Sequence, residues 1–231
     1  MSALILHIET ATRVCSVTLS DGEQVLCTIE ESDTQYIHGE RLTLIIEQVM
    51  KKSGIAFTQL DAIAVSKGPG SYTGLRIGVS TAKGLAYALE KPLIAVGSLE
   101  ALVYQPELKV QAYDYIIPMI DARRMEVFTA TFNKKLEQIG GVKALILDEY
   151  VFDALDGNIL LLGDGAEKCI PLFESNDAIE VEPTVCSTSK GMVIPAYQKY
   201  EAGSFEDVAY FEPFYLKDFQ ATKPKGIVPK N

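Results

Sequence analysis

The part of the sequence best suited to bind an anion is a glycine-rich loop between a predicted strand and a predicted helix. Gly68-Pro69-Gly70 follows the apolar run 61–66, which is short and typical of a buried strand. Ser71 or Thr73 can cap the helix that begins there, and backbone N–H groups at a helix start point towards an anion. The loop is no P-loop, and Gly74 comes one residue late for the dinucleotide motif G-x-G-x-x-G. The loop therefore predicts an anion cradle of another type.

The helix predicted over residues 73–89 is unusual because small residues recur in it every four positions. A glycine inside a helix costs up to ~1 kcal/mol relative to alanine, so several interior glycines need a physical reason. A ridge that lacks side chains lets another helix approach closely. Two interpretations stay open: packing inside the same domain, or presentation to a partner subunit. The two rows are Gly74, Gly78, Ala82 and Ala86, and Ser80, Gly84 and Ala88.

The same stretch carries a family resemblance. Residues 68–78, Gly-Pro-Gly-Ser-Tyr-Thr-Gly-Leu-Arg-Ile-Gly, and the following Ala-Lys-Gly-Leu of residues 82–85 resemble the signature of the TsaB (YeaZ) family. Proteins of that family are bacterial subunits of the machinery that makes threonylcarbamoyladenosine in transfer RNA. Asp-Ala-Arg-Arg at 121–124, Gly-Asp-Gly at 163–165 and Pro-x-Tyr-Leu at 213–216 resemble its later motifs, so the resemblance covers nearly the whole chain.

The elements that position the loop follow the order of three strands, helix, strand, helix, strand. This order is typical of a ribonuclease H-like half-domain, an α/β unit whose mixed sheet is flanked by helices and which the actin, sugar-kinase and Hsp70 superfamily uses twice. Strand 115–120, turn 121–126 and strand 127–132 repeat the start of the first half. We predict two subdomains, residues 1–103 with the partner-binding helices and residues 104–231 with a basic tail. A helix is expected at 148–155, and a helix with a kink or a late start at 189–201.

The superfamily holds ATP with an acidic residue and a hydroxyl after its first strand, and Glu9 and Thr10 occupy that place. A turn with a cap explains the same pair equally well. The corresponding turn of the second half, 121–124, contains no glycine and two arginines, so we expect this half of the nucleotide clamp to be lost. We expect no cofactor that the chain itself requires, with ATP or ADP as a candidate ligand shared at a complex interface. The candidate nucleotide or phosphate contacts are Glu9, Thr10, Gly70, Ser71, Thr73 and Arg76.

Composition argues against several functions. The net charge of −10 gives no basic footprint for gripping nucleic acid alone, and the basic tail 223–230 with Lys217 is better explained as a solvated terminus. Four scattered cysteines are expected to be buried hydrophobic residues, and two histidines are too few for a dedicated metal site. The N-terminus lacks a basic region before its apolar residues, and no apolar run approaches the ~20 residues of a membrane span, so we expect a cytoplasmic protein.

Two catalytic functions are the alternatives, that of a glycoprotease-like hydrolase and that of a degenerate ATP-binding phosphotransferase. A metalloprotease of the H-E-x-x-H type needs a second histidine, which the sequence around His38 lacks. We expect His38 to be exposed or at an interface, and His7 to be a structural histidine inside a strand. A sugar-kinase-like enzyme would need the missing phosphate loop and a longer chain.

The resemblance implies a non-catalytic scaffold subunit. In the family's pathway a larger paralogue, TsaD, transfers the threonylcarbamoyl group to N6 of the adenine at position 37 of transfer RNA, and a small ATPase, TsaE, joins the complex. The TsaB-like subunit binds TsaD through its first half-domain, forms a homodimer in the absence of TsaD, and contacts transfer RNA only indirectly.

An apolar stripe on helix 40–52 and the small-residue ridge of helix 73–89 give a physical reason for such a pairing. We expect Gly78→Leu to weaken TsaD binding without disturbing the fold. The predicted partner-binding residues are Leu42, Ile45, Val49, Gly74, Gly78, Val79 and Ala82.

Overall fold

The computed structural model describes residues 2–32 and 38–217. Two five-stranded sheets lie at its centre. The first has the strand order β3-β2-β1-β4-β5 and contains β1 (Leu4–Glu9), β2 (Val14–Asp21), β3 (Gln24–Ser32), β4 (Ala62–Gly68) and β5 (Leu93–Gly97). The second has the order β10-β9-β6-β7-β8 and contains β6 (Tyr115–Asp121), β7 (Glu126–Asn133), β8 (Gln138–Ile146), β9 (Ile159–Leu162) and β10 (Ile179–Glu182).

The two sheets repeat one topology, which confirms the predicted fold class. In the first sheet β1 is antiparallel to β2 and parallel to β4, and β4 is parallel to β5. In the second sheet β6 is antiparallel to β7 and parallel to β9, and β9 is parallel to β10. Each half is thus a hairpin followed by parallel crossovers, the arrangement predicted for a ribonuclease H-like half-domain.

Two long helices cover one face of the first sheet. They are α1 (His38–Ser53) and α2 (Tyr72–Leu89). The predicted apolar stripe of α1 is confirmed as a stripe, and it faces the protein's own sheet, where Leu42, Ile45 and Val49 are buried together with Leu6, Ile8 and Val65. Fully burying one such aliphatic side chain contributes roughly 1.5–3 kcal/mol, so α1 is held mainly by this face.

The opposite face of the first sheet is covered by segments from two distant parts of the chain. They are α3 (Ser98–Val103) and α5 (Val193–Glu201), the latter preceded by a 3-10 turn at Ser189–Met192. Met192 and Ala196 pack with Ile5 and Ile94 of the sheet. The predicted division at residue 103 separates the two sheets, whereas the segment after the second sheet packs with the first. The late helix start is confirmed, because Pro195 lies in the first turn of α5.

The second half differs from expectation in two places. The helix predicted at 148–155 is wrong: this stretch forms successive turns, with N–H groups bonded to carbonyls three residues back at Asp153–Tyr150 and Leu155–Phe152. Asp148 competes with a helix there, because its carboxylate accepts the Tyr150 N–H at 2.8 Å. The strand β8, which sequence reasoning missed, completes the second sheet, and a 3-10 turn, Asp164–Cys169, leads into the short α4 (Ile170–Phe173).

The last described residues, 206–217, form a strap along α2. Glu206 pairs with Leu93 at the edge of the first sheet. Lys83 of α2 donates to the carbonyl oxygens of Ala209 at 3.2 Å and Phe211 at 2.9 Å. Phe214 N–H donates to the Lys67 carbonyl at 2.7 Å, so the strap ends beside the glycine loop. The predicted basic tail at 223–230 lies outside the described residues.

Candidate functional site

The turn between β1 and β2 packs directly on the glycine face of α2. A Cβ atom at Gly74 would lie 2.1 Å from the Thr10 carbonyl oxygen, and one at Gly78 would lie 2.2 Å from Thr10 Oγ1. Thr10 Oγ1 also donates to the Gly74 carbonyl at 2.9 Å. These two glycines therefore make room for the protein's own turn, which decides between the two interpretations of this row.

The space in front of α2, where an anion was predicted, is filled by backbone. Ser71 N–H donates to the Ala11 carbonyl at 2.6 Å, and a Cβ atom at Gly70 would lie 2.4 Å from that same oxygen. Ser71 Oγ caps the helix by accepting the Gly74 N–H at 3.3 Å. The predicted cradle is corrected accordingly, because Gly70 and Ser71 are directed at the turn of residues 10–13.

Glu9 is fully buried, and its carboxylate links three segments of the chain by hydrogen bonds. Its Oε1 accepts the Ala11 N–H at 2.6 Å and the Ser66 hydroxyl at 2.7 Å, and its Oε2 accepts the Ser187 hydroxyl at 3.0 Å. Burial raises the pKa of Glu9, and these hydrogen bonds oppose the rise without cancelling it. The carboxylate thus joins β1, β4 and the segment before α5, and a bound nucleotide would have no access to it.

His38, the first residue of α1, forms a hydrogen bond with the same turn. It is 1% exposed, and its Nε2 bonds the Thr12 carbonyl at 2.8 Å. The expectation that His38 is exposed or at an interface is wrong, because α1 begins against the turn. Burial lowers the pKa of His38, which favours the neutral ring. His7 is buried as expected and pairs with Ser20 Oγ at 2.8 Å.

Two of the candidate nucleotide contacts, Thr73 and Arg76, lie on the surface. The guanidinium of Arg76 stands 4.1 Å from the centre of the Tyr72 ring, and its Nε donates to the Tyr215 hydroxyl at 3.4 Å. The rings of Tyr72 and Tyr215 have their centres 4.8 Å apart. Sequence reasoning missed both tyrosines, because nothing local in the sequence brings residue 215 next to residue 72.

The corresponding turn of the second half, between β6 and β7, is arranged differently. The Asp121 carboxylate accepts the Arg123 N–H at 2.6 Å and forms an ion pair with Lys168 Nζ at 2.6 Å. The backbone N–H of Asp121 donates to the Asp164 carboxylate at 3.0 Å. Arg123 and Arg124 have φ values of 71° and 51°, so two non-glycine residues sit in the left-handed region at the tip. Whether this turn ever contacts a phosphate stays a prediction from the sequence, and the structure gives only the turn's own contacts.

The seven predicted partner-binding residues are buried within this chain, none more than 4% exposed among those with side chains. Their assignment to a partner surface is therefore wrong. The apolar residues lie in the protein's own core, and Gly74 and Gly78 make room for the turn of residues 10–13. The outward row of α2 is the second small-residue row, Ser80, Gly84 and Ala88, which Arg76 precedes by one turn; all four residues are exposed. The outward face of α1 includes Thr43, Leu44 and Glu47. A Cβ atom at Gly84 would meet nothing within 4 Å.

A cavity of about 300 Å³ opens beside the glycine loop, between Pro69, Leu99, Val142 and Phe214. None of the six candidate nucleotide contacts lines it.

Within residues 2–32 and 38–217, no three metal-binding side chains come together, and no helix is long and apolar enough to cross a membrane. Of the four cysteines expected to be buried, Cys15 and Cys169 are buried, whereas Cys27 is half-buried and Cys186 is exposed.

The known proteins to which this chain is similar belong to transfer RNA threonylcarbamoyladenosine biosynthesis. Residues 29–210 match the family model described as TsaD, tRNA N6-adenosine threonylcarbamoyltransferase. The chain is 29% identical to the tRNA threonylcarbamoyladenosine biosynthesis protein TsaB of Escherichia coli K12 over 95% of this chain and 96% of that protein. It is 33% identical to the TsaB of Bacillus subtilis 168 over 69% and 70% of the two chains. The structure of YeaZ from Pseudomonas aeruginosa shares the fold, with a TM-score of 0.79, 24% identity and coverage of 93% of this chain and 100% of that one.

The packing of the turn of residues 10–13 on α2 predicts that a glycine-to-alanine substitution changes the free energy of unfolding in opposite directions at two positions of this helix. Gly74→Ala forces a methyl group against the Thr10 carbonyl, and overpacking with loss of the nearby hydrogen bond lowers the free energy of unfolding by at least about 2 kcal/mol. Gly84→Ala faces open space and raises it by up to about 1 kcal/mol through helix propensity. Urea unfolding checks both, and a harmless Gly74→Ala would contradict the packing described for Thr10.

Burial of Glu9 predicts a pH dependence of stability. Because the pKa of Glu9 in the folded protein is raised above its ordinary value of 4.5, the folded protein keeps a proton that the unfolded chain has lost. Stability of the wild type relative to Glu9→Gln therefore falls as pH rises through the window between 4.5 and the raised pKa, by up to about 1.4 kcal/mol per pH unit. Urea unfolding of both proteins at pH 5, 6, 7 and 8 measures this difference, and a constant difference across the series would refute it.

Proposed function

This chain belongs to the TsaB (YeaZ) family of tRNA threonylcarbamoyladenosine biosynthesis proteins, and we propose that it is a non-catalytic scaffold subunit. In this proposal it binds and activates TsaD, which carries out the transfer to adenine 37 of transfer RNA. TsaE joins the complex of this chain with TsaD. In the absence of TsaD, this chain forms a homodimer. The place proposed for ATP or ADP as a candidate ligand is the interface shared with TsaD.

The observation that carries the non-catalytic proposal is the filled space in front of α2. A phosphate there would have to displace the Ala11 carbonyl, which accepts the Ser71 N–H at 2.6 Å. Glu9, the residue positioned to hold a metal, is buried and accepts three hydrogen bonds from Ala11, Ser66 and Ser187. Releasing such a carboxylate would leave several buried donors without a partner, which is costly. These contacts favour a scaffold over the phosphotransferase and hydrolase alternatives.

The surface that supports TsaD binding is the outward side of α1 and α2. Ser80, Gly84 and Ala88 form an exposed row without bulky side chains, and Ile77 is half-buried beside it. Leu44 is 43% exposed on the outward side of α1. The family model described as TsaD matches residues 29–210, a range that includes both helices. A partner with a similar helix pair can pack closely against this row, giving four helices at the interface, and a second copy of this chain can use the same surface.

The interface proposal is tested by Gly84→Leu. The leucine meets open space in the free protein, so the fold stays intact, but at a close helix–helix contact it overpacks by about 1–3 kcal/mol. We expect the affinity for TsaD, measured by titration calorimetry, to fall about tenfold or more. Gly141→Leu is the matched control, because Gly141 also faces open space but lies on β8. Equal affinities of the two variants would exclude this row as the contact.

The same proteins test the scaffold role. Threonylcarbamoyl transfer by TsaD and TsaE onto unmodified transfer RNA is followed with wild-type chain, with Gly84→Leu, with Gly141→Leu and with no added chain. We expect transfer to need the chain, and Gly84→Leu to reduce it in proportion to the lost affinity. Full transfer in the absence of the chain would contradict the proposal, as would transfer by the chain alone.

A further inference from the structure

Positive side chains gather where the two hairpin turns, the start of α2 and the end of the strap meet. We call this set the cationic rim; it consists of Arg13, Arg76, Arg123, Arg124, Lys168 and Lys217. Contacts link its members: Lys217 pairs with Glu126, whose carbonyl accepts Lys168 Nζ at 2.8 Å, and Lys168 pairs with Asp121. Tyr215, two residues before Lys217, reaches Arg76. The rim is therefore one continuous surface across both halves.

The carboxylates on this surface are already engaged. Asp121 pairs with Lys168, Glu126 pairs with Lys217, and Asp164 accepts the Asp121 N–H at 3.0 Å. Desolvation raises the pKa of Asp164, and Arg13 works against that rise, which places its guanidinium near this carboxyl. The six cations of the rim outnumber these three carboxylates by three, in a chain whose net charge is −10.

Arg123 and Arg124 are the clearest sign that the rim has a ligand. They occupy a hairpin tip at φ values of 71° and 51°, where glycine or asparagine would fit without strain. Both are exposed, and among the described residues neither makes an ion pair. Strain at exposed side chains is retained where those side chains do something that a better turn residue cannot.

An aromatic platform borders the guanidinium groups. The Tyr72 and Tyr215 rings lie 4.8 Å apart, Arg76 stands over the Tyr72 ring at 4.1 Å, and Tyr215 is 36% exposed. Guanidinium groups for phosphates together with an aromatic face for bases are the combination that binds single-stranded nucleic acid. An acidic protein segment would use the charges but would not need the rings.

We propose that the cationic rim binds single-stranded RNA, namely a loop of the transfer RNA held by the catalytic partner. Arg123 and Arg124 contact phosphates, and a base stacks on Tyr215. Arg76 starts the outward row of α2 that continues through Ser80 and Gly84, so an RNA on the partner would pass onto the rim at the edge of the proposed interface. This inference rests on the proposed function for the identity of the RNA, and it assigns this chain a direct contact where composition alone predicted an indirect one.

The test measures binding of unmodified transfer RNA to the complex of this chain with TsaD, by fluorescence anisotropy between 50 and 300 mM salt. We expect the double variant Arg123→Gln, Arg124→Gln to raise Kd at least about threefold and to lower the slope of log Kd against log salt by about 1.5. Tyr215→Leu should raise Kd at least about fivefold with an unchanged slope, because stacking involves no counterion release.

Lys134→Gln, Lys135→Gln is the matched control, since these exposed lysines occupy the hairpin tip at the other end of β7. It should leave both Kd and slope unchanged. The inference is overturned if the arginine variant matches this control, or if it weakens only the binding of TsaD or TsaE, which would identify an acidic protein segment as the ligand. TsaD affinity is measured without RNA for every variant, so a failed interface and a failed RNA contact give different results.

Discussion

Thr10 lies with its carbonyl oxygen against Gly74 and its hydroxyl against Gly78, and most of the first half-domain depends on that contact. The turn that carries Thr10 is held from three sides. α2 holds it through Ser71 and the glycines, α1 holds it through His38, and the buried Glu9 carboxylate anchors it to β4 through Ser66. Any side chain at the two glycines would push β1 and α2 apart. The glycine-rich sequence is thus explained by close packing inside one chain.

This contact also bears on the proposed function. The sequence predicts an anion in front of α2, between the turn after β1 and the start of that helix. Here the Ala11 carbonyl occupies that space and Glu9 faces inward. The rotation of α2 that turns Gly74 and Gly78 towards the turn leaves Ser80, Gly84 and Ala88 facing outward. One row of small residues on α2 therefore makes room for the turn of residues 10–13, and the other row is the surface that we propose for close packing against a partner.

Much of the fold could be predicted from the sequence, because hydrophobic period and turn residues are local signals. The order of elements in the first half, the α1 stripe and the late start of α5 all follow from them. Other features depend on distant contacts. Burial of Leu42 and Val79 in the protein's own core has the same periodicity as burial against a partner, so the pattern could not separate the two. The turns at 148–155 present Val151, Phe152 and Leu155 to the second core at helix-like spacing. His38 and Tyr215 acquire their neighbours only through tertiary packing.

The central proposal is that the isolated chain has no nucleotide site, and titration of MgATP into it tests this most directly. Calorimetry with ATP up to about 1 mM would detect any affinity in the range of a functional nucleotide site. A filled cradle and a buried Glu9 predict no saturable heat. Saturable binding that disappears in Glu9→Gln would contradict the account, since it would require the turn of residues 10–13 to leave its seat on α2 and release the carboxylate to the ligand.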